Sequence, residues 1–462
     1  MKQSFQQPAK PDGREDQRIF LLREERPDRA VVKLSVPLIA GMFIMVMYNL
    51  VDTFFIGLLR DDYQLAAVSL AYPVMMIMVA VSNMVSSGSA SLIARSLGAK
   101  EKKKAETTLL TAILMTVLNS AIVTVLGLLF LPAITRGLGA GEMTFDYTRQ
   151  YIGVLLAGSV FTMGSYTGAS LLRSEGSVRM SIAGMIAGTI VNIVLDPLFI
   201  FTFGLQVRGA AIATVLGNAA GTLVTLWFYL RGKTLLSLRT ENFRIEVPVV
   251  LEICRVGIPA SLETLLTSAA YIVNNRLAVS YGELTVAAMG IAQKIMQLGN
   301  YIYQGFAAGT QPIMGYNYGA GNYRRMTEVL KAGILITSGT ELAVMCVCGL
   351  FAPQLIAVFT ENPEVIETGT VILRAIMWIL PFVGAVSMCR MSFQAMGKPM
   401  HAFMITLVRQ LFLYVPLLLL LNQAFGFQGM IHAQPITEAI MMTVSTALLL
   451  RVIRTEAAES AK

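Results

Sequence analysis

Residues 34–57 read LSVPLIAGMFIMVMYNLVDTFFIG, a long apolar stretch whose only charged side chain is Asp52. A helix of about 20 predominantly apolar residues covers the hydrocarbon core of a bilayer, which is about 30 Å thick. The stretch therefore predicts a transmembrane helix. A carboxylate inside such a helix is energetically costly and needs a reason, so Asp52 is also the first candidate functional residue.

Apolar stretches of similar length recur along the whole chain. Of its 462 residues 55% are hydrophobic and 14% charged, and its mean hydropathy is +0.64. A soluble globular domain has about 25% charged residues. We therefore predict an all-α integral membrane protein with twelve transmembrane helices. The predicted spans are 33–58, 66–93, 107–131, 150–172, 180–203, 208–230, 255–280, 285–312, 330–351, 366–390, 402–421 and 430–450.

The basic residues predict the orientation of these spans. With the N-terminus in the cytoplasm, 28 of the 36 Lys and Arg residues fall in cytoplasmic segments, and the outer loops hold only Arg60, Arg136, Arg149 and Arg208. This is the positive-inside pattern, and it places both termini in the cytoplasm. The net charge of +8 is therefore explained by topology and does not indicate a nucleic-acid partner.

The sequence contains an internal repeat with an offset of 220 to 222 residues. Prolines and glycines at helix ends recur in pairs, and Val51-Asp52 matches Val273-Asn274. The other pairs are Pro37/Pro259, Gly98/Gly319, Pro132/Pro353, Gly176/Gly397 and Gly209/Gly429. Because six spans per repeat is an even number, the repeats insert in the same direction. Such repeats are related by a pseudo-twofold axis along the membrane normal, with the substrate path between them.

This repeat predicts the domain organisation. We expect two pseudo-twofold-related six-helix lobes joined by a polar linker, and a solvated N-terminal arm in preference to a surface helix. The predicted segments are 1–30 (cytoplasmic arm), 31–231 (N-terminal lobe), 232–248 (linker), 249–453 (C-terminal lobe) and 454–462 (cytoplasmic tail). The small-residue runs 86–91 and 184–188 favour close helix packing.

Two acidic residues in the first half lie at the same predicted depth. Asp52, Asp196 and Thr214 each lie about 9–10 Å below the outer surface, counted at 1.5 Å per helical residue. Asn192 lies one turn before Asp196, and Pro197 removes a backbone hydrogen bond next to it. Oxygen ligands suit a hard cation, and two close carboxylates can share a proton. The alternative interpretation is structural, with each Asp satisfied by neighbouring polar groups.

Three more acidic residues lie inside predicted spans, and their role is open between a structural ion pair and a substrate contact. These residues are Glu263, Glu341 and Glu438. Lys294 and Arg374 reach comparable depth from the outer side and are the candidates to neutralise these acids.

The most distinctive segments resemble one transporter family. LSVPLI, NLVDTFFIG, ARSLGAKEKKKAE and NIVLDPLFIF, together with the repeat over residues 30–452, resemble prokaryotic members of the multidrug and toxic compound extrusion (MATE) family. The resemblance implies a V-shaped carrier in the bacterial cytoplasmic membrane. It also implies export of organic, often cationic, compounds in exchange for Na⁺ or H⁺ by alternating access, without any other cofactor and without enzymatic activity.

The resemblance also implies an ion site in the N-terminal lobe. The residues that match the family's set are Asp52, Asn192, Asp196, Thr214 and the backbone carbonyl of Ala210. This set coincides with the one found from helix depth. Asn274 stands where the repeat would place a second Asp, so we expect no equivalent C-terminal ion site.

The expected partners are small organic drug-like substrates and membrane lipids, with the protein acting as a monomer. Tyr48, Asn274 and Glu263 are the candidate substrate contacts. The alternative function is a flippase for lipid-linked saccharides or precursors, which would require Lys294, Arg374 and Arg409 to converge on the central cleft. We expect Arg409 instead to lie near a helix end, where its side chain reaches the interface. A membrane enzyme is disfavoured because neither a DDxxD nor an HExxH motif is present.

Overall fold

The computed structural model describes residues 14–59, 61–238 and 246–460, and within these ranges the secondary structure is helical. The first half contains α1 (Arg14–Arg23), α2 (Pro27–Gly57), α3 (Asp62–Gly98), α4 (Lys102–Leu129), α5 (Leu131–Gly137), α6 (Glu142–Ala157), α7 (Ser159–Ser174), α8 (Val178–Pro197) and α9 (Gln206–Leu230). The second half contains α10 (Val247–Val279), α11 (Glu283–Gly319), α12 (Tyr323–Leu350), α13 (Ala352–Ala357), α14 (Pro363–Met377), α15 (Leu380–Ala395), α16 (Pro399–Leu407) and α17 (Val415–Ser460). Two short π-helical segments follow α8 and α16.

The helices account for twelve membrane crossings. Within the described ranges, six helical segments are long and apolar enough to span a bilayer, and the bent pairs α6–α7 and α14–α15 raise this number to eight. The helices α2, α10 and α11 contain 31, 33 and 37 residues, which also exceeds the length that a span needs. Gly426, with φ 57°, divides the helical segment Pro399–Ser460 into two crossings. The predicted all-α membrane fold is confirmed.

Two predicted spans are bent rather than straight. Helices α6 and α7 meet at an angle of 53°, and α14 and α15 meet at 44°. Gly158 lies at the first bend, where an added Cβ would collide with the side chain of Val215 on α9. At the second bend Pro381 has no N–H to continue the helical hydrogen bonds, which explains the break.

The two lobes meet through glycines whose backbones touch across the interface. A Cβ on Gly98 would overlap the carbonyl oxygen of Tyr316, and a Cβ on Gly319 would overlap that of Arg95. Gly98 and Gly319 are equivalent positions of the repeat, so this contact lies at the pseudo-twofold axis. Inside a membrane helices associate through close packing of small residues, and these positions provide it.

A second pair of interface contacts follows the same symmetry. Gly257 of α10 lies against the Met84 carbonyl of α3, and Gly309 of α11 lies against the backbone of Ser35 on α2. Ser35 and Gly257 are equivalent positions, 222 residues apart, and Met84 is equivalent to Gly305, one turn before Gly309, so the repeat relates the two contacts to within one helical turn. All of these residues lie in the halves of their helices that the charge pattern predicts to be cytoplasmic. The lobes are therefore joined at that side.

The prediction of a solvated N-terminal arm is wrong for the described part of it. Residues 14–23 form α1, and Leu22 is 1% exposed. The Leu22 side chain packs on Gly176 of the N-terminal lobe, while its carbonyl accepts a 2.9 Å hydrogen bond from Asn317 Nδ2 of the C-terminal lobe. The apolar run Ile19–Leu22 is the signal in the sequence for this contact, because it interrupts an otherwise charged segment. The arm therefore bridges both lobes.

The beginning of the linker docks on a buried acid. One carboxylate oxygen of Glu175 accepts hydrogen bonds from the N–H groups of Leu235, at 3.0 Å, and Leu236, at 3.2 Å. Burial raises the pKa of Glu175 from its ordinary 4.5 to about 7, against the lowering effect of these bonds and of Arg18. The carboxyl group, which lies in the turn after α7, therefore titrates near neutral pH.

We predict that Gly98→Ala destabilises the closed contact between the lobes. The new methyl group would overlap a backbone carbonyl that has no freedom to rotate away, and overpacking of this kind costs about 1–3 kcal/mol. The apparent melting temperature of the purified protein in detergent measures the effect. Gly339→Ala is the matched control, since a Cβ there has no neighbour within 4 Å. Equal melting temperatures for the two variants would contradict the assignment.

We predict that Glu175→Gln makes stability less dependent on pH near 7. The folded state raises the pKa of Glu175, so the stability that this group contributes is complete below pH 4.5 and is lost as the pH rises through about 7. The difference amounts to about 3 kcal/mol at most. Melting curves of the variant on either side of neutral pH should therefore differ less than those of the wild type. The exposed Glu142→Gln serves as control, and an unchanged pH profile in Glu175→Gln would refute the prediction.

Candidate functional site

A buried polar cluster lies between α8 and α9 in the N-terminal lobe. Asn192, Asp196 and Thr214 are 2%, 0% and 4% exposed. The Asn192 Nδ2 atom donates to Asp196 Oδ1 at 3.4 Å and lies 3.5 Å from Thr214 Oγ1, to which it also donates. The structure thus brings together three of the five residues predicted to form the ion site.

Ala210 lies on the same face of α9, one turn before Thr214, and is completely buried. Asp52 lies on α2, which packs against both α8 and α9. The side chains of Asp52 and of Tyr48 lie outside the described residues, so their contacts with the cluster stay predictions.

Glycines allow α8 and α9 to approach closely enough to form the cluster. A Cβ on Gly217 would lie 2.7 Å from the Gly188 carbonyl oxygen and 2.9 Å from the Asn192 Cβ atom. One turn away, a Cβ on Gly221 would lie 3.1 Å from the Gly184 carbonyl oxygen. The sequence analysis identified the run 184–188 but missed its partner on α9, although the spacing of Gly217 and Gly221 is the same four residues.

Irregular backbone follows Asp196 immediately. Pro197 cannot donate a hydrogen bond to the Ile193 carbonyl, and residues Leu198–Thr202 form a π-helical turn. This turn packs on the start of α9, where a Cβ on Gly209 would lie 2.7 Å from the Phe199 carbonyl oxygen. π-Helical turns are frequent at functional sites in proteins. The predicted loss of a helical bond at Pro197 is thus accompanied by a widened helix.

The start of α9 is also held from α3. The Val207 N–H donates to Gln64 Oε1 at 3.0 Å, and Gln64 Nε2 donates to Gln206 Oε1 at 3.0 Å. Gln64 is itself fixed by a bond from its Nε2 atom to Asp61 Oδ2. These bonds fix the register of α9, and therefore the height of Thr214 relative to Asn192.

The cluster offers oxygen atoms in a space closed to solvent. Among the described residues, the buried Asn192 Oδ1 atom has no hydrogen-bond partner, which is rare for a buried polar atom. Carboxylate, amide and hydroxyl oxygens are ligands that hard cations prefer, and a fully buried carboxylate also favours binding a proton. The chemistry of the cluster fits either ion.

Comparison with known proteins identifies the family. The MatE family model matches residues 37–198 and again residues 259–420. The chain belongs to the MATE family. The two matched segments begin 222 residues apart, the same offset as between Pro37 and Pro259. The resemblance noted in the sequence is thereby confirmed, and the protein is a multidrug efflux transporter of this family.

Curated relatives and solved structures match over nearly the full length. The chain is 28% identical to the multidrug export protein MepA of Staphylococcus aureus (strain MSSA476) over 427 residues, 92% of this chain and 94% of the relative. It is 29% identical to a crystal structure of MATE in the bent conformation, with a TM-score of 0.90 over 96% of this chain and 99% of the other. A MOP superfamily transporter from Pyrococcus furiosus is 29% identical, with a TM-score of 0.88 over 96% and 98%.

In the C-terminal lobe of this MATE transporter, the buried acid Glu263 has partners other than those predicted. Glu263 is bound by Arg390, at 2.6 Å, and by Gln394, whose Nε2 atom is 3.2 Å from both carboxylate oxygens. Lys294 is exposed and Arg374 donates to the Gly349 carbonyl, so the prediction that these two neutralise the buried acids is wrong. Depth along separate helices does not determine which helices are neighbours.

Arg409 was also predicted wrongly. Its side chain is only 15% exposed and its Nη1 atom donates to Glu438 Oε1 at 3.0 Å, so it forms an internal ion pair and does not reach the interface. The candidate substrate contact Asn274 is half-buried, and its Nδ2 atom donates to Met289 Sδ at 3.7 Å. Whether Asn274 and Glu263 contact substrate stays a prediction.

We predict that Gly217→Ala impairs transport by separating α8 from α9. The methyl group would collide with the Gly188 carbonyl and displace Asn192 from Thr214. Efflux of a fluorescent organic cation from cells should slow by about tenfold, which corresponds to about 1.4 kcal/mol. In the control Gly153→Ala the new atom meets only the flexible Leu131 side chain, at 3.3 Å. Normal efflux by Gly217→Ala at equal expression would contradict this role.

Proposed function

We propose that this transporter is an antiporter, which exports organic, often cationic, compounds in exchange for Na⁺ or H⁺ by alternating access. The observation that supports this proposal is the buried cluster of Asn192, Asp196 and Thr214, which lies within one lobe. Bacterial relatives named as multidrug export proteins support the class of substrate. We propose that the coupling ion binds this cluster together with Asp52 and the Ala210 carbonyl.

The energetic argument concerns the isolation of Asp196 from water. An ionised carboxylate buried in a protein interior costs several kcal/mol unless charge or hydrogen bonds compensate for it. Asn192 donates a hydrogen bond to Asp196 at 3.4 Å, and this donor is a neutral group. A bound Na⁺ or proton would stabilise the buried carboxylate further, because it brings the positive charge that a neutral donor lacks. An ion that binds one conformation more tightly than the other shifts the carrier toward that conformation.

The local structure of α8 supports a conformational response to the ion. Asp196 directly precedes Pro197 and the π-helical turn, where regular helical hydrogen bonding is already interrupted. A change in the charge of Asp196 therefore acts on a part of the helix that bends at a low cost in free energy. We propose that ion binding changes the bend of α2, α8 and α9.

The interface between the lobes supports alternating access. The described contacts at Gly98, Gly257 and Gly309 join the lobes at one end of the helices. Two lobes related by a parallel repeat can rock about such an axis and expose the cleft between them to either side. We propose that the protein works in this way as a monomer in the bacterial cytoplasmic membrane, with both termini in the cytoplasm. We also propose that the substrate contacts Tyr48, Asn274 and Glu263.

The positions of the cations argue against a flippase. A flippase for pyrophosphate-linked lipids would need Lys294, Arg374 and Arg409 to meet at the cleft. Arg409 is engaged by Glu438, Arg374 lies against Gly349, and Lys294 is exposed. Of the two candidate functions, export of organic compounds is therefore the one that the described residues favour.

We predict that Asp52→Asn and Asp196→Asn each abolish ion-driven export, because the neutral amide holds neither Na⁺ nor an exchangeable proton. Proteoliposomes that contain the purified protein and a fluorescent organic cation are tested with an Na⁺ gradient and a pH gradient separately. The control Asp146→Asn changes an exposed Asp on α6 of the same lobe and should transport at the wild-type rate.

The two gradients separate the possible coupling ions. Transport by the wild type under only one gradient identifies the ion, and loss of that transport in both aspartate variants supports the site. Wild-type rates in Asp52→Asn and Asp196→Asn, with both proteins folded in the membrane, would overturn the proposal.

A further inference from the structure

One buried acid takes no part in the site described above. Glu341 lies on α12 in the C-terminal lobe and is completely buried. Among the described residues, neither of its carboxylate oxygens has a hydrogen-bond partner. Glu263 and Glu438, the other two buried acids of this lobe's helices, each bind an arginine. Glu341 is therefore the exception among these three acids.

The surroundings of Glu341 are mostly apolar, and the backbone N–H of Tyr303 on α11, which lies nearby, does not reach hydrogen-bond geometry with it. The acid faces Gly299 on α11, where a Cβ would lie 3.4 Å from Glu341 Oε2, and that same Cβ would lie 2.7 Å from the side chain of Leu380. Leu380 is the first residue of α15, at the bend between α14 and α15. One turn earlier on α12, Thr337 packs on Gly384 of α15. The carboxyl group is thus enclosed by α11, α12 and the bend.

Among the described residues, no Lys or Arg on the helices packed against α12 forms an ion pair with this carboxyl group. Arg409 and Arg390 are bound to Glu438 and Glu263. The charged and titratable groups on the packed elements include Tyr303 and the exposed Lys294 of α11, Cys348 and Lys331 of α12 itself, Arg374 and Glu367 of α14, Cys389 and Arg390 of α15, Lys33 of α2, and Glu438 of α17. Lys33 pairs with Glu25, Arg374 binds Gly349, and Lys331 is exposed at the other end of α12.

These surroundings select the ion that Glu341 can hold. A carboxylate with no partner in a low-dielectric interior is strongly destabilised, so the group takes up a compensating ion or becomes neutral. A metal cation needs several oxygen ligands, and in the described part of the chain no group of three or more His, Cys, Asp or Glu side chains gathers at this position. A proton needs no further ligands. The neutral carboxylic acid is the form that this site accommodates.

The repeat shows that the acid is not a packing feature common to both lobes. The position equivalent to Glu341 in the N-terminal lobe is Ser120, whose carbonyl accepts a 3.1 Å hydrogen bond from Ser159 Oγ. The position equivalent to Ser159 is Leu380. The C-terminal lobe thus has a carboxyl group, Glu341, where the N-terminal lobe has the hydroxyl of Ser120. It has Leu380 where the N-terminal lobe has Ser159, so a hydroxyl that could donate to the carboxyl group is not present at that position.

We propose that Glu341 is a proton-binding site of the C-terminal lobe, loaded in the conformation described and able to release its proton when the packing of α12 on the α14–α15 bend opens to water. The site is separate from the Asn192–Asp196–Thr214 cluster and does not depend on which ion that cluster takes. It lies apart from Asn274, where the expectation of no equivalent of the N-terminal ion site stays a prediction.

The proposal is tested by infrared spectroscopy on the full-length protein in lipid nanodiscs. At neutral pH, the difference between the spectra of wild type and Glu341→Gln should contain the C=O band of a protonated carboxyl group. The exposed Glu367→Gln on α14 is the matched control and should remove only a carboxylate band. A carboxylate band alone in the Glu341→Gln difference would overturn the proposal. If this variant does not fold, the pH titration of the protonated-carboxyl band in the wild type serves instead, and absence of the band refutes the site.

Transport then distinguishes a proton site from a structural acid. Under a pH gradient, Glu341→Gln should export a fluorescent cation at least tenfold more slowly than wild type, while equilibrium binding of that cation changes less than twofold. A wild-type rate for Glu341→Gln would show a structural acid and overturn the proposal. Asp196→Asn is measured in parallel. Its transport rate tests the N-terminal ion site separately, so the result for Glu341→Gln can be interpreted whether or not that site is correct.

Discussion

The absence of water inside the bilayer is the constraint on which this structure depends. Every buried polar group has to find its partner within the protein, because none is available from solvent. Glu263 meets this demand with Arg390, and Glu438 meets it with Arg409. Asp196 accepts a hydrogen bond from Asn192, and Glu341 has no hydrogen-bond partner among the described residues. An acid without a fixed cationic partner is one to which a mobile ion can contribute much.

The same constraint governs how the helices assemble. Lipid tails are as apolar as leucine, so two helices gain little by hiding apolar surface from lipid and gain more by packing closely. The closest approaches occur at glycines, both within the N-terminal lobe, at Gly217, and between the lobes, at Gly98 and Gly319. The ion cluster and the contact between the lobes therefore depend on one packing principle. A methyl group added at either place acts on the function through the backbone.

Much of the fold and part of the site were predictable from the sequence. Apolar length predicted the spans, and proline and glycine spacing predicted the repeat, because both features are properties of the chain itself. Depth along α8 and α9 correctly grouped Asn192, Asp196 and Thr214. Depth failed for Glu438 and Glu263, because their partners Arg409 and Arg390 depend on which helix faces meet and not on depth.

The sequence by itself determined that the protein is a two-lobed helical membrane protein with acids inside its helices, since hydrophobic length and an internal repeat do not depend on how helices pack. Only the tertiary structure decided which acids have a cationic partner, that Leu22 bridges the two lobes, and that Glu341 is enclosed without a hydrogen-bond partner in the part of the chain that the structure describes. The physical reason is that burial and pairing are properties of neighbouring helices. Helix order along the chain does not specify which faces of those helices meet.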